Sequence, residues 1–319
     1  MKPECSIIVR AYNEEKHIGK LFAGIREQTL KNIQVILVDS GSTDRTVEIA
    51  EECGVQVVHI DPQTFTFGRS LNFGISHAES DILVFASAHV YPVYPDWLER
   101  LIAPFKDESV AVCYGKQSGA FNSQFSEKQI FIHWYPEISQ HKQTTPFCNN
   151  ANAAIRKSLW EQHPYDESIP ALEDLAWARW ASDKGYAVSY SAEAEIVHVH
   201  HEPWKSVYNR YRREGMAFKQ IYPNAHFTLG DLIRLLSANI TSDYRAARAQ
   251  KVLLKEWHHI IKFRWSQFWG TYQGYRQSAK LLTWNLKRTF YYPNTSFHEK
   301  TQHKHRIDPI QYMEESEKR

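Results

Sequence analysis

Gln34-Val-Ile-Leu-Val-Asp39-Ser-Gly-Ser-Thr-Asp44 joins a short apolar, β-branched run to a string of turn formers that ends in a carboxylate. Such a run reads as a strand buried on both faces. The turn formers close it, and a helix follows with Val47, Ala50 and Cys53 inward and Gly54 as its stop. Upstream, Cys5–Arg10 repeats the strand pattern. Asn13 is placed to cap the next helix, in which Ile18, Leu21, Phe22 and Ile25 form one apolar stripe. Downstream the alternation continues: strand Val55–Ile60, helix Arg69–Ala78, strand Asp81–Ala86, helix Asp96–Phe105, strand Val110–Tyr114. This βαβα order predicts an α/β fold with a mostly parallel sheet and helices on both faces. Ligands of such sheets bind at the carboxyl ends of the strands. Here those ends are Arg10–Asn13, Asp39–Asp44 and Ser87–His89, three polar clusters that core packing does not require.

Past residue 116 the pattern loosens. Phe147–Ile155 turns from polar to apolar, Leu172–Lys184 reads as a helix ended by Gly185, and Ala187–Tyr190 and Glu195–His198 read as two short strands. After Glu202 the chain is helical, basic and aromatic, and no internal repeat is present. The 319 residues carry 38 Lys+Arg against 36 Asp+Glu. That balance of +2 divides into −10 over residues 1–203, +12 over 204–292 and zero over 293–319. Four scattered cysteines exclude a disulfide scaffold and a Cys-rich zinc module and fit a reducing compartment. No apolar run reaches the roughly 18 residues of a membrane span. Met1–Ser6 lacks the pattern of a signal peptide, so a cytoplasmic location is expected.

Each polar cluster suggests chemistry beside a plainer reading. Asp39 at a strand end can accept from a nucleobase or ribose, with helix-start amides for phosphate, or simply close a capped turn. His89 in Ser87-Ala88-His89, with His198 and His200 on one side of a later strand, suggests a cation site. It reads equally as hydrogen-bonded histidines, or as imidazoles that touch phosphate directly. Glu173-Asp174 at a helix start offers a general base for a hydroxyl, or charges that complement the helix dipole. Phe67-Gly-Arg69-Ser-Leu-Asn72 presents a cation near the same edge, with Asn72 either reaching towards Asp39 or buried as a structural amide.

In this order the pieces resemble glycosyltransferase family 2, with the GT-A fold, over roughly residues 4–203. The resemblance rests on Ile7-Ile-Val-Arg-Ala-Tyr-Asn-Glu14, Val38–Asp44, Gly68-Arg-x-x-Asn72-x-Gly74 and Phe85–His89. It continues in Trp97-Leu98, Asn149-Asn-Ala-Asn-Ala153 and Glu173-Asp174. It implies that Ala11, Tyr12, Glu14 and Asp39 grip a nucleoside. Ser40, Arg69, Asn72, Ser87, Ala88 and His89 are then expected to lie along a nucleotide-sugar. It makes Asp174 the catalytic base with Glu173 beside it, and Asn150 and Trp177 the candidate acceptor contacts. The family's Asp-x-Asp metal motif reads Ser-Ala-His here, so a divalent cation, Mn²⁺ or Mg²⁺, is expected on His89, His198 and His200, without a tight Mg²⁺ preference.

The expected activity is therefore inverting, non-processive transfer of a hexosyl or deoxyhexosyl group from a nucleotide-sugar to a growing, lipid-linked surface glycan. The wording Phe-Gly-Arg-Ser-Leu-Asn with Ser-Ala-His resembles the branch labelled rhamnosyltransferases. Two rivals stand beside it: a GT-A domain that lost activity and serves as a carbohydrate- or membrane-binding scaffold, and a sugar-nucleotide nucleotidyltransferase. The second would need a Gly-rich, basic loop where Arg10–Glu14 stands. Residues 204–292 are expected to form basic helices with interfacial aromatics, suited either to an anionic membrane surface at the inner face of the cytoplasmic membrane or to a cap on the catalytic domain. No signature of nucleic-acid binding accompanies the charge. Residues 293–319 read as a flexible tail.

Overall fold

The computed structural model describes residues 2–200, 203–277 and 307–312. The elements are β1 Cys5–Ala11, α1 Ile18–Arg26, β2 Ile33–Asp39, α2 Thr46–Glu52, β3 Gln56–His59 and α3 Phe67–Ser76. Then come β4 Ile82–Ser87, β5 Val90–Pro92, α4 Trp97–Ile102, β6 Val110–Gly119, α5 Phe125–Trp134 and β7 Asn152–Arg156. The chain continues through α6 Lys157–Gln162, α7 Glu173–Asp183, β8 Ala187–His198, α8 Trp204–Ile221, α9 Leu229–Ala249 and α10 Leu253–Arg276.

One sheet holds all eight strands in the order β3-β2-β1-β4-β7-β6-β8-β5. β3, β2, β1 and β4 run parallel, β6 pairs parallel with β8, and β7 and β5 are the antiparallel members. Side chains of β1 alternate between two cores. Ile7 and Val9 pack with Ile18, Leu21 and Trp97. Ile8 packs on the opposite side with Leu71, Ile75 and Trp177. The expected strand buried on both faces is thus what β1 forms. Gly74 lets α3 lie against it, since a Cβ there would come within 2.6 Å of Ile8 and 2.7 Å of Val38.

Several local expectations change. Asn13 does not cap α1, which begins at Ile18. Asn13 has φ 56° and accepts from the Thr43 amide at 2.8 Å, tying the β1 end to the β2 loop. Cys53 is exposed. The helix expected over 96–105 stops at Ile102 and tightens into a 3₁₀ turn, because Pro104 lacks the N–H an α-helix needs. The two short strands over 187–198 are one strand, β8. Its middle, Ser-Ala-Glu-Ala, has no strand propensity. Its register against β6 shifts between Gly115 and Gln117. Asn152 Nδ2 donates there to Lys116 O at 3.0 Å and Ala194 O at 2.8 Å.

The three long C-terminal helices share a core with the α/β part. Ile169, Ala171 and Leu175 pack with Ala217, Phe218, Leu232, Phe268 and Tyr275. α8 and α10 approach closely, since a Cβ on Gly270 or Gly274 would fall 2.5 or 2.2 Å from a backbone oxygen of α8. Not all of the basic and aromatic residues face solvent, as a surface reading required. Arg264 is buried in a bidentate pair with Asp243, both bonds 2.8 Å, and Ser126 Oγ donates to the same carboxylate at 2.6 Å. Asp243→Ala leaves that guanidinium buried and unpaired. It is expected to cost about 3–5 kcal/mol, read as a lowered midpoint in urea unfolding. The remainder of the basic region, 278–292, and the tail over 293–319 lie outside the described residues apart from 307–312.

Candidate active site

Register brings the three polar clusters to one edge. Ala11 pairs with Asp39 and Arg10 with Ser87. Ser40 closes the β1–β2 junction, its N and Oγ both donating to Ala11 O at 3.1 and 3.0 Å. Tyr12 stands 58% exposed beside it, an open ring at the sheet edge. Asp39 is buried and accepts from the amides of Gly41 and Ser42 at 3.0 and 3.2 Å, with His59 Nδ1 at 3.3 Å. The amides expected for phosphate are also used. Thr43 donates to Asn13, Arg45 to Glu15 and Thr46 to Asp44. These three amides are engaged within the loop and by the end of β1.

Two further expectations are corrected. Asn72 does not reach Asp39. Its Nδ2 donates to Tyr165 O and Glu167, and its Oδ1 accepts from Trp160 Nε1 and the Tyr165 amide, so its amide is spent on holding the 160–167 segment. Trp177 is a core residue, buried, with its indole N–H donating to His163 O. Arg69 is exposed in the first turn of α3, whose start Thr66 caps.

The histidines do converge. One ring nitrogen from each of His89, His198 and His200 lies within 4.8 Å of the others. Each Nδ1 donates to a fixed oxygen: His89 to Glu14, His198 to Gln117 and His200 to Glu127, all at 2.8 Å. Nε2 is then the lone-pair atom on every ring. That of His198 is buried with no hydrogen-bond partner. Burial first, then neighbouring positive charge from Arg210 and the other imidazoles, pushes His198 and His200 well below the usual histidine range, so both rings are neutral. Neutral rings with an oxygen on the far nitrogen are the form in which imidazole binds metal. Sequence reasoning missed Gln117 and Glu127, because nothing local marks them. It also missed that Arg210 of α8 reaches the same Glu127 oxygen at 2.8 Å.

Glu173 and Asp174 open α7, directly after Leu172 in the left-handed conformation, φ 59°. That conformation costs a β-carbon residue roughly 1–2 kcal/mol, and as consecutive helical residues the two carboxylates point in different directions. Glu173 turns to Arg10 Nη1 at 2.9 Å, a contact the sequence did not suggest. Asp174 accepts from the amides of Asn150 at 3.0 Å and Leu175 at 2.7 Å. Asn150 thus serves Asp174 through its backbone. Desolvation, then the Glu173 charge, raises the Asp174 carboxyl above the usual range. Asp174 lines a cavity of about 150 Å³ together with Gln117, His198, His200, Arg210 and Glu214, against aromatic walls that include Phe131 and Phe147.

A buried carboxylate and two of the three clustered histidines thus share one cavity of this α/β fold. Comparison with known proteins gives its class: the chain is a glycosyltransferase with the GT-A fold. Residues 6–163 match the profile of glycosyl transferase family 2, and the chain belongs to that family. It is 26% identical over 224 residues to the O-antigen chain rhamnosyltransferase RfbN of Salmonella typhimurium, covering 66% of this chain and 71% of that one. It is 28% identical over 227 residues to the O-antigen chain rhamnosyltransferase WbaN of Salmonella anatum, covering 67% and 72%. Its fold is similar to that of the mannosyltransferase PcManGT of Pyrobaculum calidifontis, solved with GDP-Man and Mn²⁺. The TM-score is 0.58 at 19% identity, over 91% and 88% of the two chains. Among the described residues no helix is long and apolar enough to cross a membrane.

Proposed function

We propose that the protein moves a hexosyl or deoxyhexosyl group from a nucleotide-diphosphate sugar to a hydroxyl of a growing, lipid-linked surface glycan, with inversion and one addition per encounter. The observation that carries this reading is the shared cavity: Asp174 and two of the three clustered histidines line the same space. In the proposed step the acceptor oxygen bonds to the anomeric carbon and passes its proton to Asp174. The bond from that carbon to the diphosphate oxygen breaks, and its electron pair leaves with the diphosphate. Tyr12 and Ser40 at the sheet edge are the proposed contacts of the nucleoside, and Arg69 and Ser87 those of the diphosphate.

The donor set fits a divalent cation, since His198 Nε2 is a buried acceptor that no protein group satisfies. His89, His198 and His200 would hold it, and it would supply positive charge for the leaving diphosphate. The mannosyltransferase solved with GDP-Man and Mn²⁺ supports the donor class, and the two O-antigen rhamnosyltransferases support a deoxyhexosyl donor and a surface-glycan acceptor.

A thermal-shift screen of nucleotide-sugars with and without Mn²⁺ tests the reading, because a ligand of the folded state raises its stability. A rise of the midpoint is expected for one sugar nucleotide in Mn²⁺, followed by product of inverted anomeric configuration. Product of retained configuration would overturn the mechanism, and absence of any donor binding would overturn the activity.

A further inference from the structure

α10 has two faces of different character. One packs Ile260, Phe263 and Arg264 into the protein. The other turns Leu254, Trp257, Ile261 and Trp265 to solvent, 94%, 50%, 39% and 50% exposed. Their spacing of three, four and four residues places them on one side of a helix. Trp269 and Tyr272, half-buried against the core, stack onto the end of the row, with ring centroids 5.6 Å apart between Trp265 and Trp269 and 5.5 Å apart between Trp269 and Tyr272. Lys255 and Lys262 are exposed along the edge of this row, and Arg245, Arg248 and Lys251 are exposed where α9 turns into α10. The one acid of α10, Glu256, falls on the far side by helical spacing. In sequence, residues 278–292 add Lys280, Lys287 and Arg288 and no acid.

We infer that this face lies on an anionic lipid surface. Tryptophans place an apolar body with one polar N–H at the boundary of headgroup and chain. Lysines beside them extend their stems and keep the ammonium at the phosphates. A second copy of the chain would bring lysine against lysine on this face, whereas an anionic bilayer complements it. The N-terminal half of the helix, up to Trp265, would lie along the surface, since beyond it Phe268 and Tyr275 turn the same side into the core. The surface is separate from the residues of the cavity, so the inference stands whether or not the transfer reading does.

The test uses the full chain and vesicles of phosphatidylcholine with and without phosphatidylglycerol. Flotation should bring the protein up with the anionic vesicles alone, with a blue shift of tryptophan emission and release at high salt. Trp257→Ser with Trp265→Ser should weaken binding at least about tenfold, the scale of 1.4 kcal/mol. Lys255→Glu with Lys262→Glu should weaken it and flatten its salt dependence. Both variants should keep the wild-type melting midpoint and donor binding. Equal flotation of wild type and the tryptophan variant overturns the proposal. So does a wild-type dimer in sedimentation that the tryptophan substitutions dissociate.

Discussion

Asp174→Asn is expected to lower turnover by about 10²–10⁴-fold, the usual worth of a positioned general base, while donor binding stays within a few-fold of wild type. Asparagine keeps the volume and can accept from one of the two amides, those of Asn150 and Leu175, while its NH₂ faces the other, so the variant loses the basic oxygen and one backbone hydrogen bond. Single-turnover measurements with saturating donor separate the chemical step from binding. Wild-type turnover in the variant would remove Asp174 as base.

The pH profile makes the same claim independently. A base works only when deprotonated. A carboxyl raised first by desolvation and then by Glu173 must therefore lose activity at a pH above the usual carboxylate midpoint of about 4. Glu173→Gln removes the neighbouring negative charge and frees Arg10 to act on Asp174 as a lone cation, both of which favour the ionised form. The acid limb of the profile is expected to move to lower pH in that variant, even as the lost ion pair lowers turnover. An unmoved limb would mean that another group sets it.

The difference between what was legible in the sequence and what was not follows from how far apart the partners lie. β1, β2 and β4 announce themselves as short β-branched runs, and their parallel pairing puts Ala11, Asp39 and Ser87 on one edge with no further information. His89, His198 and His200 were legible as types, because a histidine at a strand end and a His-x-His on a later strand are local signals. What holds them was not. Gln117 and Glu127 lie 81 and 73 residues from the rings they accept from, and neither sits in a pattern that distinguishes it from a surface residue. Asn72 and Trp177 went wrong for a related reason. A polar or aromatic residue near a motif reads as ligand-facing until its partners are known, and here the partners are Tyr165 and His163. Charge misled in the same way. Arg264 counts as one more positive residue in composition, yet it is cancelled by Asp243 inside the protein. The exposed row on α10 could be recognised only after such buried cations were set aside.

Removal of divalent ions is expected to abolish transfer, and Mn²⁺ or Co²⁺ should restore it better than Mg²⁺ at equal concentration. Three imidazoles are poor partners for Mg²⁺, which prefers oxygen and keeps its water, whereas borderline ions accept nitrogen readily. The protein has prepared these rings. Each Nδ1 is spent on a fixed oxygen, two of the rings are held neutral, and one ring nitrogen of each histidine already lies within 4.8 Å of the others. Metal binding can be read without activity, as a visible absorption band on adding Co²⁺ to chelator-treated protein and as a rise in its melting midpoint. His198→Ala should erase the band. Glu127→Gln leaves all three rings in place and exchanges a carboxylate for a weaker acceptor, so it should weaken binding by about 10–100-fold, the usual effect of losing such a support. Since the same Glu127 oxygen receives Arg210, the variant also loosens α8 from the site, and Arg210→Ala distinguishes the two effects. If ion affinity follows Glu127 and not Arg210, the carboxylate acts through His200. Full activity of the wild type in chelator, with no Co²⁺ band, would leave the three histidines as hydrogen-bonded residues and return the diphosphate to cationic side chains alone.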